Sequence, residues 1–221
     1  MGGLRKWLRV KFVKSKIDLG KRIPKSVIPR LSFYYRILVE FKEKYLSSVQ
    51  LARRAGFTDA QVRRDLAYFG QFGTRGKGYD VDALKQALSE ILGIDRTWSV
   101  GVIGVGNLGT AFIKYRGFGK QGFNIVAGFD VDDNKIGNVI SGVRIYALHE
   151  LEEVIKTFRI DMIILTVPSV IATGVLEKLK DTGVKGILNF APIRLRDIGD
   201  IVVNNIDLSI ELERLSFGLK K

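Results

Sequence analysis

Cysteine is absent and histidine occurs once, at position 149. Without thiols there is no disulfide framework and no thiolate zinc site, and one imidazole is too few for a histidine metal centre and argues against a Ser/His relay. No metal site and no catalytic residue are expected. Long apolar runs are also missing. One of the longest, residues 162–167, falls far short of the roughly 18 residues that a membrane span needs. The opening residues Met1-Gly2-Gly3-Leu4-Arg5-Lys6 lack the hydroxyl of a myristoylation signal, and no stretch like a signal peptide follows, so the cytoplasm is the expected compartment.

Acidic residues are scarce at one end only. Residues 1–80 hold 19 Lys and Arg against 6 Asp and Glu, whereas residues 81–221 hold 17 of each, so the whole net charge of +13 lies in the first third. A basic segment joined to a neutral one suggests two domains with different partners, and a polyanion is the natural partner of the first. With 221 residues, 46% of them hydrophobic, the chain can bury a sizeable core.

Residues 1–22 interleave Lys and Arg with Trp7, Leu8, Val10, Phe12, Val13 and Ile17 without a sustained period. They read as a basic arm suited to a phosphate backbone or an anionic membrane surface, or as a leader without a role. From residue 23 the pattern firms. Pro24 and Pro29 bracket a turn, and helical spacing over 30–44 places Leu31, Tyr34, Tyr35, Leu38, Val39 and Phe41 on one first helix. Ser47 or Ser48 can cap a second helix that stops at Ala55-Gly56, and Thr58 can cap a third over 59–68. Two short helices about Gly56 are the signature of a helix-turn-helix, whose second helix enters the major groove. Gln61, Arg63 and Arg64 carry base-reading chemistry there, while Val62, Leu66 and Phe69 face the core. Gly70–Tyr79 then reads as a glycine-rich wing with Arg75 and Lys77 at its tip, fitted to a minor groove. Ser48, Thr58 and Tyr68 complete the expected DNA-facing set. The Walker spacing G-x-x-x-x-G-K-[ST] is absent.

Residues 81–92 form a helix that ends at Gly93 and is expected to connect the two domains. An apolar strand over 98–103 runs into Gly104-Val105-Gly106-Asn107-Leu108-Gly109, a helix over 110–115, and a second strand over 124–129 that ends in Asp130. The first glycine makes a tight turn, the second admits a pyrophosphate, and the third lets helix and strand pack closely. Asp130 stands where a carboxylate receives the ribose hydroxyls of an adenosine. With Asp132 and Asp133 it repels a 2′-phosphate, which favours NAD(H) over NADP(H). The alternation continues with a helix over 148–158, a strand over 160–167, a helix over 170–181 and a strand over 184–189. Thr166, Val167 and Pro168, and Asn189, Phe190, Ala191 and Pro192, fall at carboxyl ends of strands and are expected to face the cofactor. A final amphipathic helix over 207–217 has no groove within one small sheet domain, which suggests packing on a second subunit. His149 reads as a surface or crossover residue.

In this order the motifs resemble those of the Rex family of bacterial redox-sensing transcriptional repressors, over about residues 23–218. They include Ile23-Pro24, Arg30-Leu31 and Tyr34-Tyr35-Arg36; Gln61–Leu66 leading to Tyr68-Phe69-Gly70; Gly73–Tyr79; Gly104–Gly109; Phe129-Asp130; Val167-Pro168; Gly186–Pro192; and Leu212–Ser216. After Pro168 many members carry Ala-Ala-Gln where this chain has Ile171-Ala172-Thr173. The resemblance implies a homodimer that binds a palindromic operator and is released by NADH, with the C-terminal helix exchanged between subunits. It also implies a polar relay of Arg36, Tyr115 and Asp207 of the other subunit, with Tyr115 beside the cofactor.

The expected fold is α/β: a basic arm (1–22), a winged helix-turn-helix domain (23–82), a connecting helix (83–95), a Rossmann domain (96–200) and a C-terminal dimerisation helix (201–221), domain-swapped by the resemblance. The expected ligands are NADH or NAD⁺, operator DNA and a second copy of the chain. Two other readings stay open: an NAD-dependent oxidoreductase with an added basic domain, and a repressor whose Rossmann domain is only a dimerisation scaffold.

Overall fold

The computed structural model describes residues 23–74 and 76–220. The expected basic arm and Arg75 lie outside them. The chain divides into two compact units, one ending at Asp95 and the other beginning at Arg96.

The first unit opens with α1 (Val27–Glu40). The turn expected after Pro24 is present, closed by the Val27 N–H on the Pro24 carbonyl (2.9 Å), but it is shorter than expected: Pro29 already lies inside the first helical turn, where its missing N–H has no intrahelical partner to lose. The helix also stops short of Lys44, because Phe41 turns extended and tucks into the core. Residues 45 and 46 become a short strand, β1 (Tyr45–Leu46).

Ser47 and Gln50 then form a reciprocal capping box that starts α2 (Ser48–Ala55), which settles the choice between the two serines. Gly56, at φ +73°, ends it in the left-handed conformation. The Thr58 hydroxyl accepts the Gln61 N–H and starts α3 (Asp59–Ala67). The wing is a hairpin of β2 (Gly73–Thr74) and β3 (Gly78–Asp80), and β1 pairs on the other side of β3. Gly78 is obligatory there, at φ +85°, since a side chain would drive into the Leu46 carbonyl.

α4 (Val81–Leu92) is not a connector. Its Leu84 and Leu88 join Leu31, Tyr34 and Leu38 of α1, Leu51 of α2, and Val62 and Leu66 of α3 in one core, so α4 is the fourth helix of this unit.

The second unit is a seven-stranded sheet in the order β10-β9-β8-β4-β5-β7-β6. Its strands are β4 (Trp98–Ile103), β5 (Phe123–Asp130), β6 (Val139–Ile140), β7 (Val143–Ala147), β8 (Met162–Leu165), β9 (Gly186–Asn189) and β10 (Val202–Asn205). All neighbours are parallel except the edge pair of β6 and β7. The order reverses beside β4, the place where such sheets hold ligands. α5 (Asn107–Lys114) links β4 to β5 and starts inside the glycine motif, three residues earlier than expected. α6 (Leu151–Phe158) links β7 to β8, and α7 (Ser169–Leu179) links β8 to β9. Strands β6, β7 and β10 were not expected. β10 lies on β9, so residues 202–205 belong to the sheet, and only α8 (Leu208–Gly218) remains of the expected terminal segment.

The two faces of the sheet are unequally covered. α6 and α7 bury one against Ile103, Phe129, Ile163, Leu165 and Ile187. α5 covers only part of the other, over Val102, Ile145 and Ile164. The link from β9 to β10 carries no helix, and the uncovered part of this face is an apolar hollow of about 520 Å³ lined by Val100, Ile125, Met162, Ile164 and Leu188.

Candidate cofactor and DNA sites

The glycine loop of the second unit is built for close approach. Gly104 sits at φ +91°, where a side chain would drive into the Thr166 carbonyl, and a side chain at Gly109 would overlap the Gly104 carbonyl. At Gly106, by contrast, an added methyl would meet nothing within 4 Å, so the space above it is open. Gly106 is also the N-cap of α5, and no side chain caps that helix. α2, α3, α4 and α8 have Ser47, Thr58, Asp80 and Asp207 in that role. The first N–H groups of α5 therefore lack a side-chain cap beneath an open space, which is the arrangement that binds an anion.

Asp130 ends β5 beside this loop. Its carboxylate accepts the N–H groups of Val105 (2.7 Å), Val131 (2.8 Å) and Asp132 (3.0 Å), and the Lys135 ammonium (3.2 Å). Burial alone would raise its pKa, but the hydrogen bonds from the Asp132 and Val105 backbone and from Lys135 hold it below the ordinary carboxylate range. It is a fixed anion, and Lys135 is a neighbour that the spacing of the motif did not reveal.

The strand ends divide the remaining expected residues into framework and wall. The Thr166 hydroxyl donates to the carbonyls of Ile103 (3.1 Å) and Gly104 (2.6 Å), tying β8 to the glycine loop. Asn189 is buried, and its amide nitrogen donates to the Ile193 carbonyl and to Asn205 Oδ1, while its oxygen accepts the Ala191 N–H. It shapes the turn after β9 and pins β10 through Asn205, a partner 16 residues away that the sequence did not suggest. Val105, Val167 and Ala191 are buried, whereas Asn107, Leu108, Pro168 and Pro192 are exposed and Phe190 is half-buried against Phe112. Tyr115 follows α5, exposed, with its ring edge-on to Phe118. Asp207 is exposed and caps α8 through the Ser209 N–H. Arg36, in the other unit, is exposed on α1. His149 is exposed just past the carboxyl end of β7.

In the first unit, α3 presents Arg63 and Arg64 to solvent beside Ser48 at the start of α2 and Thr58 at its own start. Tyr68 ends α3 half-buried, and Lys77 is exposed on the turn of the wing. Gln61 is partly committed, because its amide donates to Asp65 Oδ1 at 2.9 Å.

Asp65 was not expected as a functional residue. It is fully buried, yet it receives Arg30 through two hydrogen bonds (2.6 and 2.8 Å), the Tyr34 hydroxyl (2.8 Å) and Gln61. Burial pushes its pKa up, but the donors from Arg30, Tyr34 and Gln61 outweigh burial and leave it low. Burial and the hydrogen bond to this anion raise the Tyr34 phenol in turn. The carboxylate locks α3 onto α1. The helical pattern held one signal for it: Val62, Asp65, Leu66 and Phe69 share a face, so a carboxylate occupies a core position.

Residues 22–67 match a family described as a putative DNA-binding protein N-terminus, and residues 95–193 match one described as a CoA binding domain. The redox-sensing transcriptional repressor Rex of Carboxydothermus hydrogenoformans is 44% identical over 91% of this chain and 99% of its own. The chain belongs to the Rex family. Among solved structures, the Rex-family repressor RSP in complex with β-NAD⁺ and operator DNA is similar at a TM-score of 0.84, with 37% identity over 90% of this chain and 93% of that one. RSP in complex with β-NADH is similar at 0.78, with 36% identity over 90% and 95%. As a Rex-family chain it pairs an N-terminal DNA-binding-type unit with a Rossmann-type parallel sheet. Among the described residues, no helix is long and apolar enough to cross a membrane.

Proposed function

We propose that this Rex chain is a transcriptional repressor that binds operator DNA as a homodimer and is released by NADH. One observation carries the reading: a helix-turn-helix with a wing and an open, uncapped dinucleotide loop stand in one chain that matches Rex repressors over nearly its full length. α3 enters the major groove with Gln61, Arg63 and Arg64, Ser48 and Thr58 lie beside it, Tyr68 closes its far end, and the wing brings Lys77 to the minor groove, with Arg75 of the same motif lying outside the described residues. The acceptor and donor repertoire of Arg and Gln suits guanine and adenine edges.

The loop from Gly104 to Gly109 receives the pyrophosphate on the N–H groups of Asn107, Leu108 and Gly109, and Asp130 receives the adenosine ribose. Because the Asp130 oxygens already accept four hydrogen bonds, the ribose replaces the longest of them, from Lys135. Asp130, Asp132 and Asp133 outnumber Lys135, so a 2′-phosphate is disfavoured. Thr166 and Asn189 hold the frame, and Val167, Pro168, Phe190, Ala191 and Pro192 supply apolar walls. A cationic nicotinamide loses more than a neutral one in such surroundings, which favours NADH over NAD⁺.

The half-covered sheet face supports dimerisation. Beyond α5 no helix covers it, and α8 exposes Leu212, Leu215 and Phe217, so the α8 of a second copy fits the vacancy. Arg36, Tyr115 and the partner subunit's Asp207 form the relay between the two ligands. The protein works in the cytoplasm, where the operator lies.

Selecting bound duplexes from a random pool, with and without NADH, tests both units together. The expected product without NADH is a palindrome whose half-sites lie about one helical turn, or a multiple of it, apart, and NADH depletes it. Equal recovery with and without NADH, or no enriched site, contradicts the proposal.

A further inference from the structure

Two adjacent arginines on α3 differ in one respect. Arg64 is exposed and has no ion-pair partner among the described residues. Arg63 is held from two sides. Its Nη1 lies 2.6 Å from Asp59 Oδ2, one turn earlier on the same helix, and 3.3 Å from the Ser48 hydroxyl at the start of α2. Neither side chain of the ion pair is buried: Arg63 is 57% exposed and Asp59 39%.

The guanidinium has five N–H donors in a planar fork. The two on Nη1 lie on the side of Ser48, whose hydroxyl accepts one of them, and of Asp59, whose carboxylate pairs with the same nitrogen by charge. The three that remain form the Nε/Nη2 edge, and that edge matches the O6 and N7 acceptors of guanine. A long side chain held this way has already lost much of the rotamer freedom that binding would otherwise remove. The neighbouring carboxylate also repels phosphate from Arg63, to the extent that the solvent reaching both groups allows, while Arg64 has no such neighbour among the described residues.

We propose that Asp59 is a positioning residue that sets base specificity: it aims Arg63 at a guanine and prevents it from acting as a phosphate clamp, a role left to Arg64. The inference rests on the reading of α3 as a DNA-recognition helix. At one position of each half-site the operator then carries G·C, read by Arg63 from the aimed edge.

The test uses the full-length dimer and the duplex selected by the parent protein, in variants with guanine or adenine at that position, together with a scrambled duplex. In Asp59→Ala the parent's preference for guanine falls by about tenfold. Affinity for the scrambled duplex rises, and the slope of log K against log salt steepens by about 0.9, one extra phosphate contact. Asp59→Glu restores the parent's preference. Arg63→Lys keeps the charge but weakens the guanine preference, because an ammonium reaches O6 and N7 without the fixed planar edge of the guanidinium. NADH binding and the melting temperature of each variant serve as folding controls, since a merely structural substitution does not raise affinity for scrambled DNA. An Asp59→Ala protein with the parent's base preference and salt slope overturns the proposal. A parent that enriches no duplex at all overturns the reading beneath it instead.

Discussion

Asp65→Asn is expected to abolish operator binding and to remove about 3 kcal/mol of stability from the first unit, because breaking a buried ion pair leaves its partner uncompensated. The Asp65 side chain is 1% exposed and that of Arg30 20%, so water reaches the carboxylate not at all and the guanidinium only in part. Asn keeps the size but offers one neutral oxygen where four hydrogen bonds converge on a carboxylate. The recognition helix loses its tie to α1, and with it the orientation of Gln61. Tyr34→Phe removes one donor and should cost only about 1 kcal/mol. Because the folded carboxyl lies below its unfolded value of about 3.9, its stabilisation is complete above that pH and is lost as pH falls through the folded value. Acid unfolding of the first unit below about pH 4 should therefore be blunted in Asp65→Asn. Denaturant titration at pH 7 and pH 3.5, with NADH affinity as the control, checks both statements. An unchanged midpoint at pH 7 contradicts the assignment.

Gly106→Val is expected to weaken NADH binding by about 100-fold, or roughly 2.7 kcal/mol, while leaving stability near that of the parent. The distinction comes from the space around each glycine. A side chain at Gly106 meets no protein atom within 4 Å, so the fold has nothing to rearrange and the substituent stands where the pyrophosphate must approach. Gly109→Ala behaves differently, because its methyl overlaps the Gly104 carbonyl and must displace backbone. That protein should lose both stability and cofactor. Gly106→Val should still bind operator DNA but need about 100-fold more NADH for release. Isothermal titration and thermal melting of the two variants separate these outcomes, and a Gly106→Val protein with parental NADH affinity rules out this loop as the pyrophosphate site.

Legibility from the sequence followed the range of the interactions. The caps at Thr58 and Gly56 and the glycine spacing of 104–109 are local, and the helix-turn-helix and dinucleotide loop were readable from them. β6 has two residues, too few for a period, and β7 and β10, of five and four, take their places in the sheet from β5 and β9, which lie further off in the sequence. The same limit explains α4, whose helical pattern was plain while its place in the first core depended on α1. Side-chain commitments were the least legible. Asn189 and Thr166 stand at the strand ends where ligand contacts are expected, yet their polar atoms are engaged in holding the loops. Asp65 was visible only as an anomaly on a core face, and the different surroundings of Arg63 and Arg64 not at all.

The coupling of the two units is tested most directly by fluorescence anisotropy of a labelled operator bound to the dimer, titrated separately with NADH and NAD⁺. Release requires a ligand that binds the free conformation more tightly than the DNA-bound one. The predicted result is loss of anisotropy with NADH at concentrations where NAD⁺ leaves the complex intact, and no response to either in Gly106→Val at those concentrations. Equal release by both nucleotides, or release of the Gly106→Val complex at the NADH concentrations that release the parent, would contradict it.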